Sequence, residues 1–271
     1  MRIEEKSAIV TGAGNGIGQA VAIELAQRGI GAVGLVDRNE SVLRVARMIN
    51  DRMDAPVAEA LIGDTTDENF RRRAFDLMCA KHGPPRVCVP AAGTTRDQLA
   101  VKIDKVTGKP IIYPVENFRL LVEVNLIAAV YWVMEMVARI AEERRSQGRG
   151  KWTPEEGIQG TAIFIGSISR QGIPGQIAYA ATKAALEGAA ATLNKEAMYH
   201  GVRCALIHPG FTDTQMVRAL GEEYIESNIL PYTQLKRLID PTEIADAIYF
   251  MICNSAVSGE LWADAGWHPR A

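Results

Sequence analysis

At 271 residues the chain fits one large domain, because a single core stops growing only at ~250–300 residues. Its 48% apolar content argues against disorder, and 30 Lys and Arg against 32 Asp and Glu leave a net charge of −2, with no basic field for nucleic acid. Cys79, Cys88, Cys204 and Cys253 form no CxxC pair and no metal-ligand spacing, so reduced thiols in a cytoplasmic protein without a metal are expected.

The opening MRIEEKSAIV has two acids and runs straight into a strand-like stretch, leaving no room for a signal peptide. Short β-branched runs then alternate with longer helical patterns, which predicts βαβ units and an α/β fold on a parallel sheet. Strands are expected near 7–11, 31–36, 57–62, 86–90, 161–166, 202–207 and 259–263, with helices near 16–28, 40–53, 67–82, 115–144, 177–200 and 241–253. No repeat, low-complexity tract or linker divides residues 1–271, so one domain is expected throughout.

The first strand runs into TGAGNGIG at 11–18. Gly12, Gly14, Gly16 and Gly18 allow a tight turn, close backbone approach to a pyrophosphate and tight helix–strand packing. The helix that follows points free N–H groups and a partial positive charge at such phosphates. Ile17 makes the spacing Gly-x3-Gly-x-Gly, and the same turn without a ligand is the plain alternative. At the end of the second strand stands Asp37, whose carboxylate suits both adenosine ribose hydroxyls and repels a 2′-phosphate. NAD is therefore expected over NADP. Arg38 keeps NADP open, and Asn15 brings no positive charge to help it.

Residues 97–116 form a long connection whose alternating apolar residues flank a turn signal at Thr107-Gly108-Lys109-Pro110, the pattern of a small hairpin. The apolar run 126–141 is broken by Glu135 and Arg139 and falls short of the ~20 residues of a membrane span, so no membrane is expected. Arg71-Arg72-Arg73 and Arg144-Arg145 read as exposed helix faces. Residues 145–160 are rich in glycine and charge, with Trp152 as their one anchor.

Further on, Ser167 and Ser169 precede QIAYAATKAALEGAAATL, an alanine-rich helical stretch without proline. Tyr179 and Lys183 stand four apart in it and share a helix face. Alone, such a pair is common on solvated helices. An ammonium beside a phenol lowers the phenol's pKa from about 10, and a tyrosine so tuned can interconvert an alcohol and a carbonyl. His208 before Pro209 reads as a packing histidine at a strand end, and Trp262 and Trp267 as core or subunit contacts.

TGAGNGIG, Asn125 in EVNLIAAV, GSIS at 166–169, YAATK at 179–183 and HPGFTDT at 208–214 together resemble the single-domain branch of the short-chain dehydrogenase/reductase family, from residue 6 to about 267. The resemblance implies a doubly wound, Rossmann-type seven-stranded parallel sheet between two helix layers. It also implies an NAD(P)-dependent enzyme moving a hydride between a nicotinamide cofactor and a secondary alcohol or ketone. Tyr179 becomes the general acid/base, Lys183 its partner and a contact of the nicotinamide ribose, and Ser167 the donor to the substrate oxygen. Asn125 becomes the holder of a water linking Lys183 to solvent. Cofactor contacts are implied at Gly12, Asn15, Gly16, Ile17, Gly18 and Asp37, and at Asp64 with Thr65 by the adenine. Others are implied at Ala92 and Gly93 by the adenosine ribose, and at Pro209, Gly210, Phe211 and Thr214 by the carboxamide. Gly266 in ADAG matches the family's glycine near the C-terminus.

The chain also departs from the family. Pro90-Ala91-Ala92-Gly93 replaces Asn-Asn-Ala-Gly, so the support those asparagines give must come from elsewhere. The serine-to-tyrosine interval counted from Ser167 is one residue short, which leaves Ser169 as a substitute. Segments 97–116 and 145–160 are insertions relative to shorter members. Specificity should lie in 211–238, where Met216, Leu220, Ile225, Ile229, Leu230 and Tyr232 mix with Glu222, Glu223 and Glu226. A small alcohol or ketone substrate is expected, with sterol, polyol, hydroxyacyl and simple ketone classes all open. The alanine-smooth helix at 177–200 adds, by the resemblance, a homo-oligomer (tetramer or dimer). The alternatives are an NADP-dependent 3-oxoacyl reductase-like enzyme and a non-catalytic dinucleotide-sensing regulator on the same fold.

Overall fold

A computed structural model describes residues 1–267. The strands β1 (Ser7–Thr11), β2 (Ala32–Asp37), β3 (Ala58–Ile62), β4 (Val87–Pro90), β7 (Gly160–Ile165), β8 (Val202–Pro209) and β9 (Gly259–Ala263) form a seven-stranded parallel sheet. Its order is β3-β2-β1-β4-β7-β8-β9, so the winding reverses between β1 and β4. Such a reversal opens a crevice at the carboxyl ends of the strands. β1, β2, β4, β7 and β8 are buried along their whole length, as expected of strands covered on both faces.

The helices divide between those faces. α1 (Gly16–Gln27), α2 (Ser41–Met53) and α9 (Pro241–Cys253) pack Val21, Leu25, Val45, Ile49, Ile244 and Ile248 against Val10, Leu35, Ile163 and Ile207. α3 (Glu68–His82), α5 (Ala129–Ser146) and α6 (Ile177–Glu196) pack Phe75, Met78, Trp132, Met136 and Leu186 against Ile9, Val36, Phe164 and Leu206. The alternation of Ile9 with Val10, one to each side, is the period of a strand.

Two elements differ from the sequence expectation in an informative way. The helix expected over 115–144 is α4 (Val115–Val122), a π-helical turn at Glu123–Ala128, and then α5. The continuous run Val115–Ser146 is the one described helix long and apolar enough to cross a membrane, yet Trp132, Val133, Met136 and Ile140 are fully buried against the sheet. The expected hairpin forms as antiparallel β5 (Val101–Ile103) and β6 (Pro110–Ile112), with Val101 opposite Ile112. Between β8 and β9 lie the short helices α7 (Gln215–Arg218) and α8 (Glu222–Asn228).

Arg71 and Arg144 are buried, which corrects their reading as exposed; only Arg72, Arg73 and Arg145 face solvent. Arg144 grips Glu156 through two hydrogen bonds of 2.8 and 3.0 Å and the Gly150 carbonyl at 3.0 Å, because the 147–159 segment folds back over it. Arg71 lies over the Tyr131 ring, 5.2 Å from its centroid, and 3.6 Å from Glu135. His208 packs as expected, stacked on Trp262 at 4.4 Å, and in addition places Nε2 3.0 Å from Glu260. Trp267 packs edge-on against Phe211 at 4.8 Å.

Candidate active site

Glycine geometry shapes the crevice first. Gly12 has φ +65°, and a Cβ there would stand 2.8 Å from the Ala92 backbone. Gly18 leaves no room for a Cβ against the Gly12 carbonyl, so α1 starts hard against the end of β1. Asn15 caps α1 with extended backbone and no side-chain bond, and no acid occupies the first turn. The N-terminal N–H groups of a twelve-residue helix thus face the crevice with their partial positive charge uncompensated.

Asp37, at the end of β2, accepts the Gly14 N–H on Oδ2 and the Asn39 N–H on Oδ1, each at 2.9 Å. It therefore pins the glycine loop while each oxygen keeps a free lone pair. Arg38 is exposed and pairs with no acid among the described residues. The cleft beside them has a volume of about 460 Å³. Gly12, Asn15, Gly16, Ile17, Gly18, Asp37, Asp64, Thr65, Ala92, Gly93, Tyr179, Lys183 and Thr214 line it together. A helix N-terminus, a cradle a Cβ would fill and a carboxylate at the far end suit a dinucleotide. Phe211 and Gly210 line a second, smaller pocket of about 80 Å³, while Pro209 and Asn125 line neither.

Tyr179 and Met216 line both pockets, which places the phenol where they meet. Ser167 accepts the Ser169 N–H at 3.1 Å, and its side chain lines the smaller pocket together with Tyr179. Burial pushes the Tyr179 phenol up to about 12, opposed by Ser167 and reinforced by the charge of Asp97. This corrects the expectation that Lys183 depresses it. Lys183 is itself buried, which lowers its pKa to about 8, and its Nζ donates to the Ile165 carbonyl at 2.8 Å.

The missing Asn-Asn pair is replaced from two directions. The Ala92 N–H donates to Thr11 Oγ1 at 3.1 Å, holding the β4 exit to β1. Asn125, inside the π turn, accepts the Thr94 N–H and donates to the Thr94 carbonyl, each at 2.9 Å. Its side chain is a clamp on the segment after Gly93. Sequence reasoning also missed Thr95, Asp97 and Gln176, which line the smaller pocket with Ser167 and Ser169. Of the three, only Asp97 carried a sequence signal, as the polar start of residues 97–116.

Residues 6–225 match the short chain dehydrogenase family. The chain belongs to that family. Its relatives include the 3-oxoacyl-[acyl-carrier-protein] reductase FabG of Escherichia coli (strain K12), 30% identical with 96% of each chain covered. MabA, the reductase of the same description in Mycobacterium bovis, is 31% identical over 94% of this chain and 90% of its own. The (3R)-3-hydroxyacyl-CoA dehydrogenase of Canis lupus familiaris is 27% identical over 93% and 90%. Among solved structures, a ribose-5-phosphate isomerase from Brucella melitensis 16M superposes with a TM-score of 0.80 at 25% identity, covering 98% of this chain and 93% of that one. The isomerase of that description shares the fold, which does not carry an activity with it. As a short-chain dehydrogenase, the protein is an oxidoreductase acting on CH–OH or carbonyl groups with a nicotinamide cofactor.

Proposed function

We propose that the protein is a secondary-alcohol dehydrogenase (or ketone reductase) in which Tyr179 exchanges a proton with the substrate oxygen. The observation that carries this reading is the position of Tyr179, which lines both pockets and shares the smaller one with Ser167. Ser167 and Tyr179 hold the reacting oxygen between them. In reduction the Tyr179 phenol gives its proton to the carbonyl oxygen as hydride reaches the carbon; in oxidation the phenolate takes the hydroxyl proton as the electron pair of the adjacent C–H bond leaves as hydride. The bound nicotinamide supplies the hydride acceptor or donor. Lys183 would hold the nicotinamide ribose, Asp37 the adenosine ribose, and the α1 N-terminus with Gly12, Asn15, Gly16, Ile17 and Gly18 the pyrophosphate.

We read NAD as the preferred cofactor from Asp37, with NADP kept in competition by the unpaired Arg38. We infer one cofactor-binding and catalytic domain, and a homo-oligomer joined through the face of the π turn and α5, where Ile127, Tyr131 and Met134 are exposed. The four free thiols favour a cytoplasmic location. The names of the relatives favour a second reading, a substrate with its oxo or hydroxyl group at carbon 3 of an acyl chain.

The test is a panel of secondary alcohols and ketones, assayed by nicotinamide absorbance with both cofactors. Tyr179→Phe should bind the cofactor as the wild type does while kcat falls roughly 10²–10⁴-fold. A variant keeping more than about a tenth of wild-type kcat would show that Tyr179 is not the proton-transfer group.

A further inference from the structure

The smaller pocket has two unlike walls. Phe211, Met216, Val217 and Leu220 make one side apolar. The polar side is made by Thr95 and Asp97, from the segment after β4, by Ser167 and Ser169, and by Gln176, just before α6. Asp97 Oδ2 accepts Gln176 Nε2 at 2.8 Å, and Oδ1 is hydrogen-bonded by the Thr95 hydroxyl. The amide of Gln176 cannot be reversed, because its oxygen would then face a carboxylate that has no proton to give. In this orientation Gln176 Oε1 is buried without a partner. That oxygen is shut off from solvent, so the acceptor this side offers to a substrate is the Asp97 carboxylate. The neighbouring cation does not reverse the character of this wall. Arg96 donates to Thr94 Oγ1 and the Thr95 carbonyl, and lines the cofactor cleft instead.

The pocket that Tyr179 and Ser167 share thus has the Asp97 carboxylate in its polar wall. We propose that this wall selects a substrate with a hydroxyl on the carbon next to the reacting one, a vicinal diol or the corresponding α-hydroxyketone, and turns away a carboxylate at that place. The inference rests on the reading of Ser167 and Tyr179 as the pair that holds the reacting oxygen. A thioester or carboxylate beside the carbonyl would bring only acceptors to Asp97, whereas a hydroxyl brings the proton that the wall lacks. Sites built to hydrogen-bond a substrate hydroxyl discriminate strongly against analogues without one. Asp97 stands exposed at the pocket mouth, so the preference here is smaller than for a closed site.

Three alcohols on one carbon skeleton test it: 2-butanol, 2,3-butanediol and 3-hydroxybutyrate, each with the wild type, Asp97→Ala, Asp97→Asn and Tyr179→Phe. The wild type should favour the diol over 2-butanol by about tenfold or more in kcat/KM, with 3-hydroxybutyrate lowest. Asp97→Ala should bring the diol and 2-butanol within about threefold of each other. Asp97→Asn, which keeps the shape and an acceptor, should retain a diol preference while admitting 3-hydroxybutyrate. Unchanged cofactor binding in both variants shows that the fold is intact. A wild type that prefers 2-butanol or 3-hydroxybutyrate, or leaves the diol untouched, overturns the proposal, as do variants with the wild-type ratios. Failure of the underlying reading shows separately, as Tyr179→Phe oxidising any of the three at the wild-type rate.

Discussion

Lys183 directs its ammonium at the Ile165 carbonyl, 2.8 Å away, and stands 5.6 Å from the centre of the Tyr179 ring. That bond ties α6 to the last residue of β7, immediately before Gly166 and Ser167. The lysine therefore acts on the tyrosine through position, by fixing the strand end that carries the serine. Its buried charge is the cost of this arrangement.

The cost is measurable as stability. Burial lowers the folded-state pKa of Lys183 to about 8 from the 10.5 of an unfolded chain, so the folded state binds fewer protons between those values. Stability attributable to this group rises with pH across that window, and the penalty is fully present below pH 8. Lys183→Met should thus raise the melting temperature of the cofactor-free protein by a few degrees at neutral pH, with the gain shrinking toward pH 10.5, while activity is lost. Thermal unfolding at several pH values checks this, and a lower melting temperature at neutral pH would contradict it.

Ser167→Ala should be far more damaging than Ser169→Ala. Ser167 shares the smaller pocket with Tyr179 and favours its phenolate, while Ser169 bonds back to Ser167 through its backbone N–H, which the alanine variant keeps. Loss of an oxyanion donor costs roughly 3–4 kcal/mol in precedent systems, so kcat should fall on the order of 10²–10³-fold in the first variant. Steady-state kinetics that rank the two the other way would assign the donor to Ser169.

Asp37 has two duties, and its variants should separate them. Because its carboxylate holds the Gly14 and Asn39 N–H groups, Asp37→Ala should weaken both cofactors by loosening the glycine loop. Arg38→Ala leaves the loop alone and should reduce use of NADP only, widening a wild-type preference for NAD of about tenfold, or ~1.4 kcal/mol. Cofactor titrations by fluorescence distinguish these outcomes. Equal loss of both cofactors in Arg38→Ala would remove Arg38 from the phosphate end.

Trimming residues 147–159 to a short turn should spare kcat/KM, because the segment enters β7 at its amino end, away from the crevice. It should also lower the melting temperature by several degrees, since Arg144 is left buried without Glu156. Adding Arg144→Met to the trimmed protein should recover most of that loss. A trimmed protein as stable as the wild type would show that water reaches Arg144 directly.

Legibility followed how local the requirement was. The glycine loop could be read because one turn demands several glycines within a few positions, and Asp37 because it closes the next strand. Tyr179 and Lys183 share a helix, so their spacing alone placed them together. The electrostatics of the pair could not be read, since burial outweighs the mutual influence of the two groups. Arg144 was misread because its partner lies on the far arm of a loop. The Asp97–Gln176 contact joins residues 79 positions apart through two loops, and no periodicity announces it. The substitute for the absent asparagines depends on Thr11, whose hydroxyl function is invisible until β1 lies beside β4.

The π turn at Glu123–Ala128 has a consequence for the family history of this chain. Each residue of an α-helix turns it by about 100°, so the extra residue held in the π turn sets the angular phase between α4 and α5. Deleting one residue there would make the helix regular and cheaper to form on its own. It would also swing Asn125 off Thr94, or else rotate Trp132 and Met136 out of the sheet. The length of this helix is therefore not free to drift by single residues, whereas the hairpin and the 147–159 segment on either side of it can lengthen or shorten without moving that clamp.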